Sequence, residues 1–177
     1  MCEPLRVRRA EQAETDAACA FYGAVIDGFA GAPFDPLWRR GVYPTREMIS
    51  RAVENDELYF GECGEKICAA MVLNRTQDDG WEGAPWAVPA GPDERLVLHL
   101  LAVDPARQGQ GLARRMVRAA VGLAREQGAK ALRLDVLPKN LPAVRCYERE
   151  GFRFIARLTL FYEDTGSVPF DLYELPL

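Results

Sequence analysis

The turn Gln108-Gly109-Gln110-Gly111 joins an apolar run to a helical pattern and carries the strongest chemical signal in the chain. Gly109 and Gly111 lack a Cβ, so the backbone there can approach a ligand closely. The helix that opens at Leu112 presents free N–H groups and the positive end of its dipole, a setting that favours an anion such as a pyrophosphate. The plain alternative is a tight strand-to-helix turn. Two familiar phosphate loops do not fit. A P-loop requires GxxxxGK[ST], and no Lys-Ser/Thr pair follows here. A dinucleotide loop requires Gly or Ala where Arg114 stands, and it opens a fold rather than sitting mid-chain. Arg107, Arg114, Arg115 and Arg118 put positive charge around the turn in an otherwise acidic chain of formal net charge −4. A solvated helix face accounts for some of them.

The chain has one histidine, His99. That excludes HExxH zinc chemistry and a two-histidine metal cage, so no metal is expected. It also fixes where any imidazole catalysis must happen. His99 lies in the run Arg95 to Val103, which reads as a strand. Alternation puts Val97, His99 and Leu101 on one face and Leu98, Leu100 and Ala102 on the other. Asn140, Ala143 or Val144, and Tyr147 recur at helical spacing and share a face of a short helix. A phenol there, with an ordinary pKa of about 10, suits protonation of a thiolate whose own value is about 8.5. Satisfied core residues are the plain readings of both His99 and Tyr147. Five cysteines, an odd count without CxxC, argue for reduced thiols rather than a disulfide framework. Cys63 and Cys68 flank the Gly64 turn and can face each other across two strands.

These residues need positions, and the rest of the sequence supplies the elements. A chain of 177 residues, 49% apolar and 27% charged, fits a single globular domain over 1–177. No leader and no stretch of about 20 apolar residues is present, so a soluble cytoplasmic protein is expected, without membrane or nucleic-acid partners. Leu5–Arg8 alternates as a strand. Ala10–Phe29 reads as a helix with a buried stripe of Ala13, Ala17, Ala20, Phe21, Ala24 and Val25. Thr45 caps a helix from Arg46 to about Asn55. Leu58–Cys63 and Lys66–Leu73 form a hairpin. The long loop Arg75–Asp93 carries carboxylates beside Trp81 and Trp86, a combination that suits an ammonium through charge and cation–π contact. Asp93 and Glu94 stand as fallback bases. After the Arg95–Val103 strand come a helix from Leu112 to Gln127, a strand over Ala131–Leu137, a helix capped by Asn140, and closing strands Phe152–Leu160 and Phe170–Leu175. The order is βααβββαβαββ, one mixed α/β domain.

Gln108-Gly109-Gln110-Gly111-Leu112-Ala113 resembles the Q/R-x-x-G-x-G/A signature of the GNAT superfamily of acyl-CoA-dependent N-acyltransferases. Leu101-Ala102-Val103-Asp104-Pro105 resembles the strand end before that loop. Leu134-Asp135-Val136 resembles the following strand, and Asn140, Ala143 and Cys146-Tyr147-Glu148-Arg149-Glu150-Gly151-Phe152 resemble the closing N…A…YE…GF pattern. The resemblance implies a mostly antiparallel twisted sheet of about seven strands with about four helices, and acetyl-CoA as co-substrate. It implies that the backbone of Leu101, Ala102 and Val103 pairs with the pantetheine arm. Backbone N–H groups from Gln108 to Ala113, with Arg114, would hold the pyrophosphate, and Asn140 would hydrogen-bond the pantetheine. Tyr147 would protonate the leaving thiolate, and His99 would deprotonate the amine directly or through water. Arylalkylamine N-acetyltransferases are similar at His99 but carry a second histidine where this chain has Val97. The implied reaction is direct acetyl transfer to a primary amine of a small molecule or peptide. A non-catalytic acyl-CoA-binding module is the competing expectation, with O-acyl transfer or a longer acyl donor a weaker third. Family members often dimerise through terminal strands, which points to Phe170–Leu175 as a homodimer edge.

Overall fold

The computed structural model describes residues 4–32, 34–163 and 165–177. Cys2, one of the five cysteines, lies outside the described residues. The elements are β1 (Leu5–Arg9), α1 (Thr15–Gly28), α2 (Arg46–Glu54), β2 (Leu58–Cys63), β3 (Lys66–Asn74), β4 (Arg95–Val103), α3 (Leu112–Glu126), β5 (Ala131–Val136), α4 (Leu141–Arg149), β6 (Arg153–Tyr162) and β7 (Gly166–Pro176). The order is the βααβββαβαββ read from the sequence. The seven strands form one open sheet in the order β1-β2-β3-β4-β5-β7-β6. The pairs β1–β2, β2–β3, β5–β7 and β6–β7 are antiparallel, and β4–β5 is parallel. β7, the strand that holds Phe170–Leu175, thus lies between β5 and β6. The edge strand on that side is β6, where Phe161 is 74% exposed.

The chain divides into two compact units, one made of the chain up to Leu73 with Leu100–Met116, the other of Asn74–His99 with Val117–Leu177. In the first, α1 and α2 pack on the sheet through Ala18, Phe21, Tyr22, Val25, Ile49 and Val53. The buried stripe of α1 follows the expected i, i+3, i+4, i+7 spacing but starts at Ala18. Ala17, Ala20 and Ala24 are exposed instead. The large side chains Phe21, Tyr22 and Val25 decide which face turns inward, and alanines follow them. The Thr45 side chain accepts from the Met48 N–H at 3.2 Å and caps α2 as expected. A smaller cluster of Cys63, Cys68 and Leu112 packs with Leu5 and Val103. None of the four described cysteines forms a disulfide.

Leu100, inside β4, has φ of +50°. A leucine in the left-handed region is strained, and something must hold it there. The buried Tyr22 phenol donates to the Leu100 carbonyl at 2.9 Å. The kink interrupts the two-residue alternation of β4, so the face shared by Val97, His99 and Leu101 cannot be counted through it, a correction to the sequence reading.

In the second unit, Trp81, Val97 and Leu172 make a buried cluster. Asn140 caps α4, its Oδ1 accepting from the Ala143 N–H at 3.3 Å, and Gly151 ends the following turn with φ of +94°.

Replacing Tyr22 by Phe leaves the half-buried Leu100 carbonyl without its Tyr22 donor. A loss of about 1–3 kcal/mol is expected in urea unfolding, with the m-value unchanged.

Candidate active site

On the first unit, the glycine turn is built from below. The Asp104 N–H donates to the Cys68 carbonyl at 2.8 Å, and the Asp104 side chain accepts from the Ala106 N–H at 2.9 Å. These two bonds fix the exit from β4. Gly109 and Gly111 have φ of +79° and +75°, and a Cβ added at either would meet nothing within 4 Å. Backbone conformation, rather than crowding, is therefore what demands glycine. Leu112, 1% exposed, anchors the start of α3 in the cluster with Cys63 and Cys68. The Arg115 N–H donates to the Gly111 carbonyl at 3.2 Å. The N–H groups ahead of it lie in the first turn of a helix, aimed along the axis toward the turn. Gln108, Gly109, Gln110 and Gly111 are exposed, and Ala113 is half-buried. Ala102 is buried among the α1–α2 core, while Val103 packs with Leu112. Leu101, between them, is half-buried.

On the second unit, His99 Nε2 lies 2.9 Å from the Thr76 carbonyl. A carbonyl only accepts, so Nε2 is the donor in this contact, and Nδ1 is the nitrogen left for other partners. Tyr147 is 7% exposed and packs against Phe152, with ring centroids 5.8 Å apart. Burial, reinforced by Cys146 and Asp135, holds its phenol well above the ordinary value. The phenol stays protonated at neutral pH but is a weaker acid than its ordinary value implies. Asn140 spends Oδ1 on its cap, which leaves its N–H groups to donate.

β4 and β5 pair only over Arg95–Val97 and Ala131–Arg133. Continuing that register by two residues brings His99 level with Asp135, just beyond the last rung. Asp135 is partly accessible yet densely surrounded. Burial first, and the charge of Asp78 second, push its carboxyl up to about 7. Sequence reading treated Asp135 only as part of a strand. The usable signal was a carboxylate inside the apolar run Leu132–Val136, where an unpaired charge is costly.

The acceptor-side loop differs from its expected role. Trp81 is fully buried. Trp86 donates from Nε1 to the Trp81 carbonyl at 3.0 Å, and the Arg133 guanidinium already covers its ring at 4.2 Å. Trp81 is therefore closed to a substrate cation, and Arg133 takes one face of the half-buried Trp86. Both tryptophans pin the loop, together with a buried ion pair. Glu174 accepts from Arg133 Nε at 2.8 Å and from the Ala87 and Val88 N–H groups at 2.9 and 3.0 Å. Arg133 also donates to the Val88 carbonyl at 2.8 Å. Glu94 is engaged by Lys130 and by the Gly91 N–H, so this fallback base is already committed. Arg118 is ion-paired with Glu150 at 2.8 Å, the solvated reading of that arginine. Among the described residues, no group of three or more His, Cys, Asp or Glu side chains could hold a metal ion, and no helix is long and apolar enough to cross a membrane.

With the turn, the strand order and the parted strands in view, comparison with known proteins is specific. The model of the acetyltransferase (GNAT) family matches residues 28–152, and the chain belongs to that family. It is 37% identical over 75 residues to streptothricin acetyltransferase of Streptomyces lavendulae, covering 42% of this chain and 40% of that protein. It is 31% identical over 123 residues to human N-acetyltransferase 8B, covering 66% of this chain and 53% of that protein. The chain thus spans about half or less of the length of these curated relatives. Among solved structures, a GNAT-family acetyltransferase from Streptococcus agalactiae aligns over 100% of this chain and 98% of its own, with TM-score 0.79 and 17% identity. The yncA protein of Salmonella typhimurium, solved with its cofactor acetyl-CoA, aligns over 99% and 95%, with TM-score 0.72 and 17% identity. At such identities the structures show a shared fold.

Two outcomes follow from these contacts. Glu174→Ala breaks the buried pair and frees the Ala87 and Val88 N–H groups, so a loss of about 3–5 kcal/mol is expected, with a shift in tryptophan emission as the loop loosens. For Asp135, the folded carboxyl binds its proton more tightly than the unfolded one, whose pKa is about 3.9. Its stabilising contribution is full below about pH 4 and is lost as pH rises through about 7. Thermal melts of wild type against Asp135→Asn should diverge across that window, with the variant gaining on wild type as pH rises.

Proposed function

We propose that the chain transfers an acetyl group from acetyl-CoA to a primary amine of a small molecule or peptide, within one ternary complex. The observation that carries this reading is the Gln108–Ala113 turn, with two glycines at positive φ opening directly onto α3. Backbone N–H groups in that arrangement, with Arg114 adjacent, suit a pyrophosphate. The residues present fit the coenzyme in two further places. Backbone groups of Leu101, Ala102 and Val103 lie beyond the β4–β5 rungs and suit the amides of the pantetheine arm. The Asn140 side-chain N–H groups suit its carbonyls. The coenzyme supplies an acetyl group activated as a thioester.

The chemistry then needs alignment and proton traffic. The amine nitrogen forms a bond to the acetyl carbon, the C–S bond breaks, and the electron pair leaves on sulfur. His99 Nδ1, directly or through water, takes a proton from the attacking nitrogen. Tyr147 gives its phenol proton to the thiolate. The names of relatives, among them streptothricin acetyltransferase and aminoglycoside N(6')-acetyltransferase, support a small amine-bearing acceptor. The two compact units act together as one domain in this reading, and cysteines without disulfides fit a reducing cytoplasm.

The test is calorimetric titration with acetyl-CoA, followed by thiol release over a panel of streptothricin, an aminoglycoside and tyramine. Release should require both acetyl-CoA and an amine. Tyr147→Phe should lower kcat about 100-fold or more with acetyl-CoA affinity kept, and His99→Ala should lower it in the same direction. Tight acetyl-CoA binding without release for any amine would instead make the chain a non-catalytic acyl-CoA-binding module.

A further inference from the structure

His99 is the one imidazole of the chain, and its ring is held from a loop rather than from its own strand. The partner of Nε2 is the Thr76 carbonyl at 2.9 Å; Thr76 is exposed and His99 half-buried. Water competes for an exposed carbonyl, so such a bond keeps its geometry only where the carbonyl itself is fixed. The two residues before Thr76 fix it. The Asn74 side chain accepts from the Thr76 N–H at 3.0 Å, which turns the chain as the loop begins. Arg75 Nη1 donates to the Asp93 carbonyl at 2.6 Å and to the Arg95 carbonyl at 3.2 Å. The guanidinium thus ties the start of the long loop to its end, at the root of the strand that carries His99. That end is a firm anchor. Arg95 Nη1 donates to the Ala90 carbonyl at 3.3 Å, and Glu94 accepts from the Gly91 N–H at 3.1 Å. Glu94 also pairs with the Lys130 ammonium, and the Lys130 N–H donates to the Glu94 carbonyl at 2.7 Å.

Resting on the acetyltransferase reading, we propose that Arg75 is a positioning residue for His99: it holds the Thr76 carbonyl where that carbonyl keeps the ring proton on Nε2 and leaves Nδ1 to take the acceptor's proton. Neutral imidazole has two tautomers, and only the one protonated at Nε2 offers a lone pair on Nδ1. A carbonyl on the Nε2 side selects that form and sets the plane of the ring. As the amine attacks, its nitrogen bonds to the acetyl carbon and its N–H proton passes to Nδ1. The C–S bond breaks, and the electron pair goes to sulfur. The ring is then an imidazolium. Its Nε2–H now donates from a charged group, a bond about twice as strong as the neutral one. The fixed carbonyl therefore favours the charged ring that the reaction creates. Nδ1 afterwards gives its proton to solvent, and the ring returns to the starting tautomer. Arg75 touches none of the reacting atoms and acts only through Thr76. A drift of about 1 Å at Thr76 would hand Nε2 to water and release the ring.

Because the chain has a single histidine, nitrogen NMR of the full unliganded protein reads this ring directly. At about pH 8.5, where an ordinary imidazole is neutral, wild type should show the Nε2–H tautomer alone. Arg75→Met keeps the aliphatic stem and removes the donors, and it should show a mixture of both tautomers. Arg75→Lys restores a donor and should move the populations back toward wild type. On whichever panel amine wild type acetylates fastest, Arg75→Met should lower kcat about tenfold, with KM for acetyl-CoA within about twofold. In a His99→Ala background the same substitution should cost less than about twofold, because the ring it positions is gone. If Arg75→Met does not fold, Asn74→Ala removes the other hold on Thr76 and reads the same signals. Equal tautomer populations in wild type and these variants overturn the proposal. So does a loss of kcat as large in the His99→Ala background as in wild type, which marks Arg75 as a support of the loop alone. If wild type acetylates no amine, the acetyltransferase reading falls and takes the catalytic purpose with it, while the tautomer spectrum still decides whether Arg75 sets the ring.

Discussion

Backbone N–H and C=O groups inside a sheet need partners, and β4 and β5 supply them to each other only over Arg95–Val97 and Ala131–Arg133. Past Val97 and Arg133 that mutual supply ends. His99 and Asp135 stand two residues past the last rung by register. The Leu100 kink follows at once, held by Tyr22 from α1. A strained leucine in mid-strand costs stability. Its retention makes sense where the strand has to stop behaving as a strand.

The molecule treats its buried charges in two opposite ways. Arg133 and Glu174 are almost wholly buried and fully matched, with three further hydrogen bonds to the loop backbone and the face of Trp86. Such a pair is weak evidence for net stability but strong evidence for geometry, because either partner alone would be intolerable. It fixes the loop. Two residues along the same strand, Asp135 is left without a match.

Much of this was legible in sequence. The element order and the exact limits of β4 followed from apolar runs bounded by Gly, Pro and Asp. The glycine turn followed from the absence of any other use for Gly109 and Gly111 so close to a helix start. The α1 stripe was misread because alanine is ambivalent about burial, and a pattern weighted by alanines rotated the helix by a residue. The tryptophans were misread because aromatic rings beside carboxylates look alike in sequence whether they greet a cation or are already covered by one. Arg133 lies about 50 residues from Trp86, and only pairing across the sheet brings them together. Asp135 went unnoticed because its significance depends on strand register, which a single strand cannot reveal.

The placement of β7 bears on how the chain is made. β7 follows β5 and β6 in the chain, yet it is inserted between them. Until residues 166–176 emerge, β5 and β6 each wait with a side unzipped, and β6 carries the exposed Phe154 and Phe161 on its length. Unpaired strands with aromatic side chains are sticky during synthesis. Arg153 and Arg157 give this waiting strand a charge of its own, the kind of residue that opposes pairing between exposed strand edges.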